Sequence, residues 1–130
     1  MKRRKRGKTG GVKRKLKSRG YRPYLPSLIK GNVRSLPNKI DELCASTRYV
    51  NDFRTASLMP FTETWLTDCV SDELVNIDGF SFIRSDRTEL SEKACGGGLG
   101  VYVNKKYCHP NNITVKHRSC SPNIEILILS

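Results

Sequence analysis

The stretch ASLMPFTETWL, residues 56–66, decides the fold class, because an apolar run ends there on a single carboxylate. Its first part, Leu58–Thr62, has the length and composition of a buried strand. Glu63 follows between two threonines, and a tryptophan comes two residues later. Sites in layered α/β sheets collect beyond the ends of strands, so Glu63 is the first candidate site residue.

A strand and a helix are predicted before this stretch. Residues 27–33 form the first predicted strand, whose end carries Asn32, and Pro37 suits the first turn of a helix. Apolar residues then recur at helical spacing through about residue 54, at Ile40, Leu43, Cys44, Val50 and Phe53. Asn32 and Glu63 therefore end the two strands that flank this helix. Together they could hold a hard cation such as Mg²⁺, although a strand-end glutamate also suits a capped or solvated position.

Four more strands are predicted after Glu63, at residues 80–84, 99–103, 111–118 and 123–129. A polar connection at 67–79 and a polar loop at 85–95 separate the first of them. The three glycines at 96–98 could cradle a phosphate, but no helix is predicted to follow, so a tight turn into a strand is favoured. The order of strand, helix and strand, followed mostly by strands, predicts a mixed α/β layered fold.

The charge is distributed unevenly along the chain. The 24 lysine and arginine residues exceed the 12 acidic residues, which gives a formal net charge of +12. Residues 1–22, the basic arm, hold 12 of the basic residues and no acidic residue, so residues 23–130 are neutral overall. The arm cannot bury apolar surface and is predicted to be disordered when free. It suits polyanion binding, a nuclear import signal or a solvated tail, and its candidate DNA-binding residues are Lys2, Arg3, Arg4, Lys5 and Arg6.

The cysteines and the hydropathy pattern predict an intracellular protein. Five cysteines are an odd number, none is spaced as CxxC, and the two histidines complete no zinc pattern. No apolar secretory segment follows the basic start, and no apolar run approaches about 18 residues. We therefore expect reduced thiols and no membrane partner.

Four stretches, in a fixed order, resemble a known family. They are GNVRSLPNKIDEL (31–43), FTETWL (61–66), DGFSFIRSDR (78–87) and GGGLGVYVN (96–104). Together they resemble the endonuclease domain of non-LTR (LINE-type) retrotransposons, most closely the CR1-like group of vertebrate elements. That domain is similar to apurinic/apyrimidinic endonucleases and belongs to the endonuclease/exonuclease/phosphatase superfamily. The resemblance covers about residues 23–130.

The resemblance implies a partial four-layer α/β-sandwich, in which two stacked β-sheets lie between helices. It also implies a reaction, because the family nicks one DNA strand by Mg²⁺-assisted hydrolysis of a phosphodiester. Glu63 matches the family's metal-binding glutamate, and Asn32 matches the active-site asparagine that orients metal-bound or phosphate oxygens. The nick leaves a 3′-hydroxyl that primes reverse transcription. The resemblance thus implies DNA as partner, a nuclear location and a reverse transcriptase downstream in a full-length element.

Other residues have two open interpretations. Arg34 could contact a phosphate, or it could be a solvated or ion-paired arginine. Asp86 and Arg87 lie in a family-like SDR word and are assigned to loop structure or DNA contact. Tyr102 and Tyr107 could stack on bases, although Tyr102 alternates like a core residue.

The later words of the family do not occur in residues 1–130. There is no Asp-x-Asn word, which supplies the water-activating aspartate, and no Ser-Asp-His word, which supplies a phosphate-stabilising histidine. We therefore predict that residues 23–130 are the N-terminal part of the domain, truncated at the C-terminus and unable to cleave DNA alone. The alternative is a non-catalytic nucleic-acid-binding remnant that acts through the basic arm. A third hypothesis is another phosphoesterase of the same superfamily.

Overall fold

The main sheet has four strands in the spatial order β1-β2-β4-β3. The strands are β1 Gly31–Asn32, β2 Leu58–Thr62, β3 Phe80–Ser85 and β4 Leu99–Asn104. β1 runs parallel to β2, and the other two pairs are antiparallel. The computed structural model describes residues 26–92 and 96–130, apart from the Leu90 side chain, so the basic arm lies outside the described residues.

Strand β1 is shorter than the predicted 27–33, and Pro60 in the neighbouring strand explains why. The Ile29 N–H donates to the Leu58 carbonyl at 3.1 Å. In a parallel ladder the next hydrogen bond would run from the N–H of residue 60 to the Ile29 carbonyl. Because proline has no N–H, the ladder is interrupted there and resumes only at Gly31.

Two helices follow β1 where one was predicted. α1 spans Leu36–Tyr49 and α2 spans Asn51–Thr55, and Val50 between them is extended, with φ −106° and ψ 117°. The prediction of a single helix through residue 54 is therefore wrong at this residue. A β-branched side chain favours extended backbone, whereas the apolar spacing continues into α2 through Phe53 and hides the break.

The core is formed by α1, the main sheet and the segment that follows β2. Met59 and Tyr102 lie opposite each other in β2 and β4, and both side chains are fully buried. A 3-10 turn at Asp72–Val75 lies within the predicted polar connection at 67–79 and places Val75 in the core. The buried apolar side chains of the core cluster are Leu36, Leu43, Ala56, Met59, Phe61, Leu66, Val75, Ile77, Phe80 and Tyr102.

Tyr102 is at the centre of this core. Its ring stacks on Phe82, with ring centroids 4.4 Å apart, and meets the Phe61 ring edge-on at 6.1 Å. Its hydroxyl donates to the Val75 carbonyl at 2.6 Å. Burial raises the pKa of the Tyr102 hydroxyl well above its ordinary value. Tyr102 is therefore a core residue, and its buried ring is not exposed for stacking on bases.

We expect Tyr102→Phe to lower the free energy of unfolding by about 1–2 kcal/mol, because the Val75 carbonyl loses a donor. The variant should also be less sensitive to alkaline pH. Tyrosine in the unfolded chain ionises near its ordinary pKa of 10.0, whereas folded Tyr102 keeps its proton, so wild-type stability falls as the pH rises above that value. Urea unfolding of both proteins between about pH 8 and about pH 11 measures the difference. Parallel pH profiles would contradict this account.

The remaining two strands form a separate hairpin, with β5 at Val115–Cys120 and β6 at Glu125–Leu129. None of the residues in these two described strands is buried. The hairpin is joined to the end of β3 by a hydrogen bond from Arg118 Nε to the Arg84 carbonyl at 3.2 Å. It is thus attached beside the main sheet without contributing a buried residue to the core.

These elements make a small mixed α/β fold, as predicted, and β2 has the predicted bounds. β5 begins later than the predicted 111–118 because Pro110–Asn112 forms a 3-10 turn. The four-layer sandwich stays a prediction. Neither helix within residues 26–92 and 96–130 has the length and apolar character that a membrane span requires.

Candidate active site

The C-terminal ends of β1 and β2 lie side by side at one edge of the main sheet. Asn32 is in register with Thr62, the residue before Glu63. Backbone pairing continues past the strands, because the Val33 N–H donates to the Thr62 carbonyl at 3.0 Å and the Ser35 N–H to the Glu63 carbonyl at 2.9 Å. The structure therefore brings the two predicted site residues, Asn32 and Glu63, to the same sheet edge.

The Glu63 carboxylate is held by two donors. Trp65 Nε1 donates to Glu63 Oε2 at 2.8 Å, and the Gly97 N–H donates to the same oxygen at 3.0 Å. Glu63 is half-buried, while Trp65 is 45 % exposed and so serves as a donor more than as a core residue. Hydrogen bonds to an ionised acceptor are strong, so this pair of donors orients the carboxylate.

Backbone strain is concentrated at this edge. Four non-glycine residues here have positive φ values, at 43° for Arg34, 83° for Ser35, 57° for Glu63 and 55° for Trp65. Each such residue costs about 1–2 kcal/mol relative to an ordinary conformation. Strained residues of this kind cluster at functional sites, where the surrounding structure holds them in place. The strain therefore supports the C-terminal ends of β1 and β2 around Asn32 and Glu63, called the Glu63 edge below, as the candidate functional site.

The three glycines at 96–98 form the tight turn into β4 that the sequence favours, with φ values of 83°, 74° and 91°. The turn lies along the extension of β2, because the Trp65 N–H donates to the Gly97 carbonyl at 2.9 Å. The approach is close at Gly98, where a Cβ would lie 2.4 Å from Thr64 Oγ1. That hydroxyl is buried and has no hydrogen-bond partner among the described residues.

The N–H groups of the glycine turn point at two carboxylates. Gly97 donates to Glu63, and Gly98 donates to Glu125 Oε2 at 2.9 Å. Successive N–H groups in a turn make a concavity that binds anions. In this protein the concavity is filled by two of the chain's own side chains.

Arg87 lies against the glycine turn and pairs with Glu125. Arg87 Nε contacts Glu125 Oε1, and the two side chains are only 17 % and 14 % exposed. A Cβ on Gly97 would lie 2.0 Å from Arg87 Cζ, so the guanidinium packs on the bare Cα. The hydrogen bond to Glu125 is the main cause that raises the pKa of Arg87; burial opposes it, and the charges of Glu125 and Glu63 add smaller effects that raise the pKa. DNA contact by Arg87 stays a prediction.

Sequence patterns did not identify Glu125 as a site residue. It opens β6, 38 residues along the chain from its partner Arg87, between Ile124 and Ile126. A carboxylate within an otherwise apolar strand needs a partner, because burying an unpaired charge is costly. That isolated charge is the signal that could have identified it.

A second arginine network holds the neighbouring loop. Arg84 Nη2 pairs with Asp86 Oδ2 at 2.5 Å, and Arg84 Nη1 pairs with Asp72 Oδ1 at 3.0 Å. The same guanidinium donates to the Val70 and Thr67 carbonyls at 2.7 and 2.9 Å. The hydrogen bond to Asp86 is the main cause that raises the pKa of Arg84. In the structure Asp86 thus serves the loop, one of the two roles assigned to it from sequence.

Of the other predicted contact residues, Arg34 lies beside Asn32, whereas Tyr107 lies near the end of β4. Arg34 is exposed, and its N–H donates to Asn32 Oδ1 at 3.2 Å. Tyr107 lines a cavity near the end of β4, with Arg54 and Lys106. The predicted DNA-binding residues of the basic arm lie outside the described residues: Lys2, Arg3, Arg4, Lys5 and Arg6.

A carboxylate and an amide lie at this edge, and Mg²⁺ could use such a donor set. Across residues 26–92 and 96–130, no three His, Cys, Asp or Glu side chains are grouped so that they could hold an ion. Mg²⁺ is usually bound through one or two carboxylates, with water and substrate phosphate completing its shell. Glu63 could supply a carboxylate and Asn32 an amide oxygen. The donors on Glu63 resemble the outer-shell hydrogen bonds that orient metal-binding carboxylates.

No family model matches the chain, and neither a curated protein nor a solved structure was found to be similar to it. The chemistry of the site is therefore inferred from its own residues and from the four resembling stretches.

Proposed function

We propose that residues 23–130 are the N-terminal part of a Mg²⁺-dependent DNA endonuclease domain of a non-LTR retrotransposon. One observation carries the proposal: the Glu63 carboxylate is held by two donors at the end of β2, beside the end of β1 that carries Asn32. The four resembling stretches lie around this edge. They include β1, the turn at Glu63, the segment after β3 that carries Arg87 (the Arg87 segment) and the glycine turn at residues 96–98. The partial four-layer sandwich belongs to the same proposal.

Glu63 and Asn32 would hold the ion. When bound, Mg²⁺ neutralises negative charge on the phosphate that is cleaved. Trp65 Nε1 and the Gly97 N–H orient the Glu63 carboxylate, and the Arg34 N–H orients the Asn32 side chain. Because these side chains are already fixed, little conformational entropy is lost when a ligand binds.

Residues 1–130 are proposed to bind the metal weakly and to leave DNA uncut. The sequence has neither the Asp-x-Asn word nor the Ser-Asp-His word of the family. Metal binding in the ground state needs only the Glu63 edge, whereas hydrolysis needs a group that activates water and donors that stabilise the transition state.

The basic arm supports a second candidate function, which is DNA binding without catalysis. Its 12 basic residues, with no acidic residue among them, suit the phosphate backbone and carry no sequence readout of their own. The same arm suits nuclear import. The two candidates share DNA as partner and a nuclear location, and they differ in whether a metal at Glu63 matters.

Binding of Mn²⁺ tests the metal site. The chain has one tryptophan, so its proton–nitrogen NMR spectrum contains one indole signal, from the Trp65 Nε1–H that donates to Glu63. We expect paramagnetic Mn²⁺ to broaden this signal selectively, and Glu63→Gln to weaken Mn²⁺ binding by about tenfold or more. Glu73→Gln, at an exposed glutamate in the 3-10 turn, is the matched control. An indole signal that stays sharp in Mn²⁺ would overturn the metal site.

Nicking of supercoiled plasmid tests the inactivity of the isolated chain. We expect no Mg²⁺-dependent nicking by the wild type, by Glu63→Ala or in EDTA, because residues 1–130 lack the Asp-x-Asn and Ser-Asp-His words that the family uses in hydrolysis. Nicking that requires both Mg²⁺ and Glu63 would show that residues 1–130 build a complete site. The expected inactivity would then be wrong, and the assignment as a nuclease would be strengthened.

A further inference from the structure

We infer that the Arg87–Glu125 ion pair positions the Glu63 carboxylate, acting through the glycine turn at residues 96–98. The role of Glu63 as a metal ligand rests on the proposed function. The connection from the Arg87–Glu125 pair through the glycine turn to Glu63 rests on contacts alone. Arg87 and Glu125 are positioning residues in this inference, because neither needs to touch a metal or DNA.

Glu125 connects the Arg87 segment to the glycine turn. Its Oε1 contacts Arg87 Nε, and its Oε2 accepts from the Gly98 N–H at 2.9 Å. With 14 % and 17 % of their surfaces exposed, the two charged side chains are largely shielded from water. Hydrogen bonds between charged groups are stronger and more directional than neutral ones. A single carboxylate therefore fixes where the Arg87 segment lies relative to the turn.

Arg87 in turn limits where the glycine turn can lie. Its guanidinium packs on the Cα of Gly97, where a Cβ would lie within 2.0 Å of Cζ. On the neighbouring residue, a Cβ at Gly96 would lie 3.4 Å from Glu63 Oε2 and 3.5 Å from Trp65 Nε1. The turn thus fills the space between the guanidinium and the Glu63–Trp65 hydrogen bond, so a displaced Arg87 would let the turn move.

The position of the glycine turn determines where the Glu63 carboxylate is held. The Gly97 N–H donates to Glu63 Oε2 at 3.0 Å, and the next N–H, of Gly98, donates to Glu125. The two carboxylates are therefore held by adjacent peptide groups of one turn. Trp65 Nε1 donates to the oxygen that Gly97 also contacts, so movement of the turn alters a hydrogen bond that can be observed directly.

The charge of Glu125, like its contacts, is expected to favour cation binding at Glu63. Arg87 lies near both Glu125 and Glu63, and Glu125 is its ion-pair partner. If the Glu125 charge is removed, the attraction between Arg87 and Glu63 is no longer offset. The guanidinium would then compete with a bound cation for the Glu63 carboxylate. Glu125 is therefore expected to raise the affinity of Glu63 for a metal.

The Trp65 indole signal tests the inference without any metal. We expect Glu125→Gln to shift this signal and to speed exchange of the indole proton with solvent several-fold, because the Glu63–Trp65 bond loosens. Asp86→Asn is the matched control, since Asp86 is 18 % exposed in its pair with Arg84, whose guanidinium holds the neighbouring loop. Glu125→Asp keeps the charge and should restore part of the wild-type signal. It also serves as the milder variant if Glu125→Gln unfolds.

Titration with Mn²⁺ adds a second measurement. We expect the Mn²⁺ affinity to fall about 10- to 100-fold in Glu125→Gln and to stay unchanged in Asp86→Asn. An indole signal that is identical in Glu125→Gln and the wild type overturns the inference, as does an equal shift in Asp86→Asn. If the signal shifts in Glu125→Gln alone but the wild type binds no Mn²⁺, positioning is supported and the proposed metal function fails.

Discussion

Gly97→Ala is expected to lower the free energy of unfolding by about 3–5 kcal/mol, the largest stability effect of any substitution considered in this protein. A Cβ at this position would lie 2.0 Å from Arg87 Cζ, and the backbone has φ 74°. The guanidinium can move aside only by leaving Glu125, whose carboxylate is 14 % exposed, and leaving a shielded charge without its partner costs about that much. Domains of this size are stable by only about 5–15 kcal/mol, so urea unfolding followed by circular dichroism should show a large shift.

Two further variants separate the clash from the backbone strain. Gly79 has φ 85°, and a Cβ added to it would have no atom within 4 Å, so Gly79→Ala carries only the backbone cost of about 1–2 kcal/mol. In an Arg87→Ala background the clash is gone, and Gly97→Ala should cost no more than Gly79→Ala. Equal losses for the two glycine substitutions in the wild-type background would contradict the packing of Arg87 on the turn.

Neutralising the basic arm is expected to have the largest effect on DNA binding. The variant replaces five residues with glutamine: Lys2, Arg3, Arg4, Lys5 and Arg6. We expect binding to duplex DNA at low salt to weaken by about 100-fold or more. The slope of log affinity against log salt should become shallower by about 0.9 for each phosphate that the arm no longer neutralises. Fluorescence anisotropy at several salt concentrations measures both quantities.

Two controls show whether the arm itself binds DNA. Replacing Lys105, Lys106 and Lys116 with glutamine removes three exposed charges from the described part of the chain and should change the affinity little. Glu63→Ala should leave the affinity unchanged, since arm binding needs no metal. If the lysine variant loses affinity and the arm variant does not, the DNA-binding surface lies within the described part of the chain.

The elements that the sequence predicted well are those whose neighbours along the chain determine them. β2 at Leu58–Thr62 has its predicted bounds, and β3 and β4 each extend one residue further than expected. The ends of β1 could not be predicted from its own residues, because its length depends on the missing N–H of Pro60 in another strand. The break between α1 and α2 at Val50 was not predicted, because the apolar spacing continues through this single extended residue.

The candidate site shows the same difference between features set by neighbouring residues and features set by distant ones. Asn32 and Glu63 follow strands and could be chosen from local patterns. The donors that hold Glu63 include the Gly97 N–H, 34 residues away, and backbone groups carry no sequence signature for such a contact. The pairing of Arg87 with Glu125 was missed because the two side chains are 38 residues apart, although the single charge in an apolar strand indicates that Glu125 needs a partner.

The attachment of the β5–β6 hairpin links the site to a local opening equilibrium. None of the hairpin's strand residues is buried, and the hairpin carries Glu125, which pairs with Arg87 and the glycine turn. Segments with few buried apolar contacts open at a fraction of the global unfolding free energy. Each opening of the hairpin removes Glu125 from the turn while the Tyr102 core stays folded. If Glu63 binds a metal as proposed, the fraction of molecules with a closed hairpin would limit the apparent affinity for that metal.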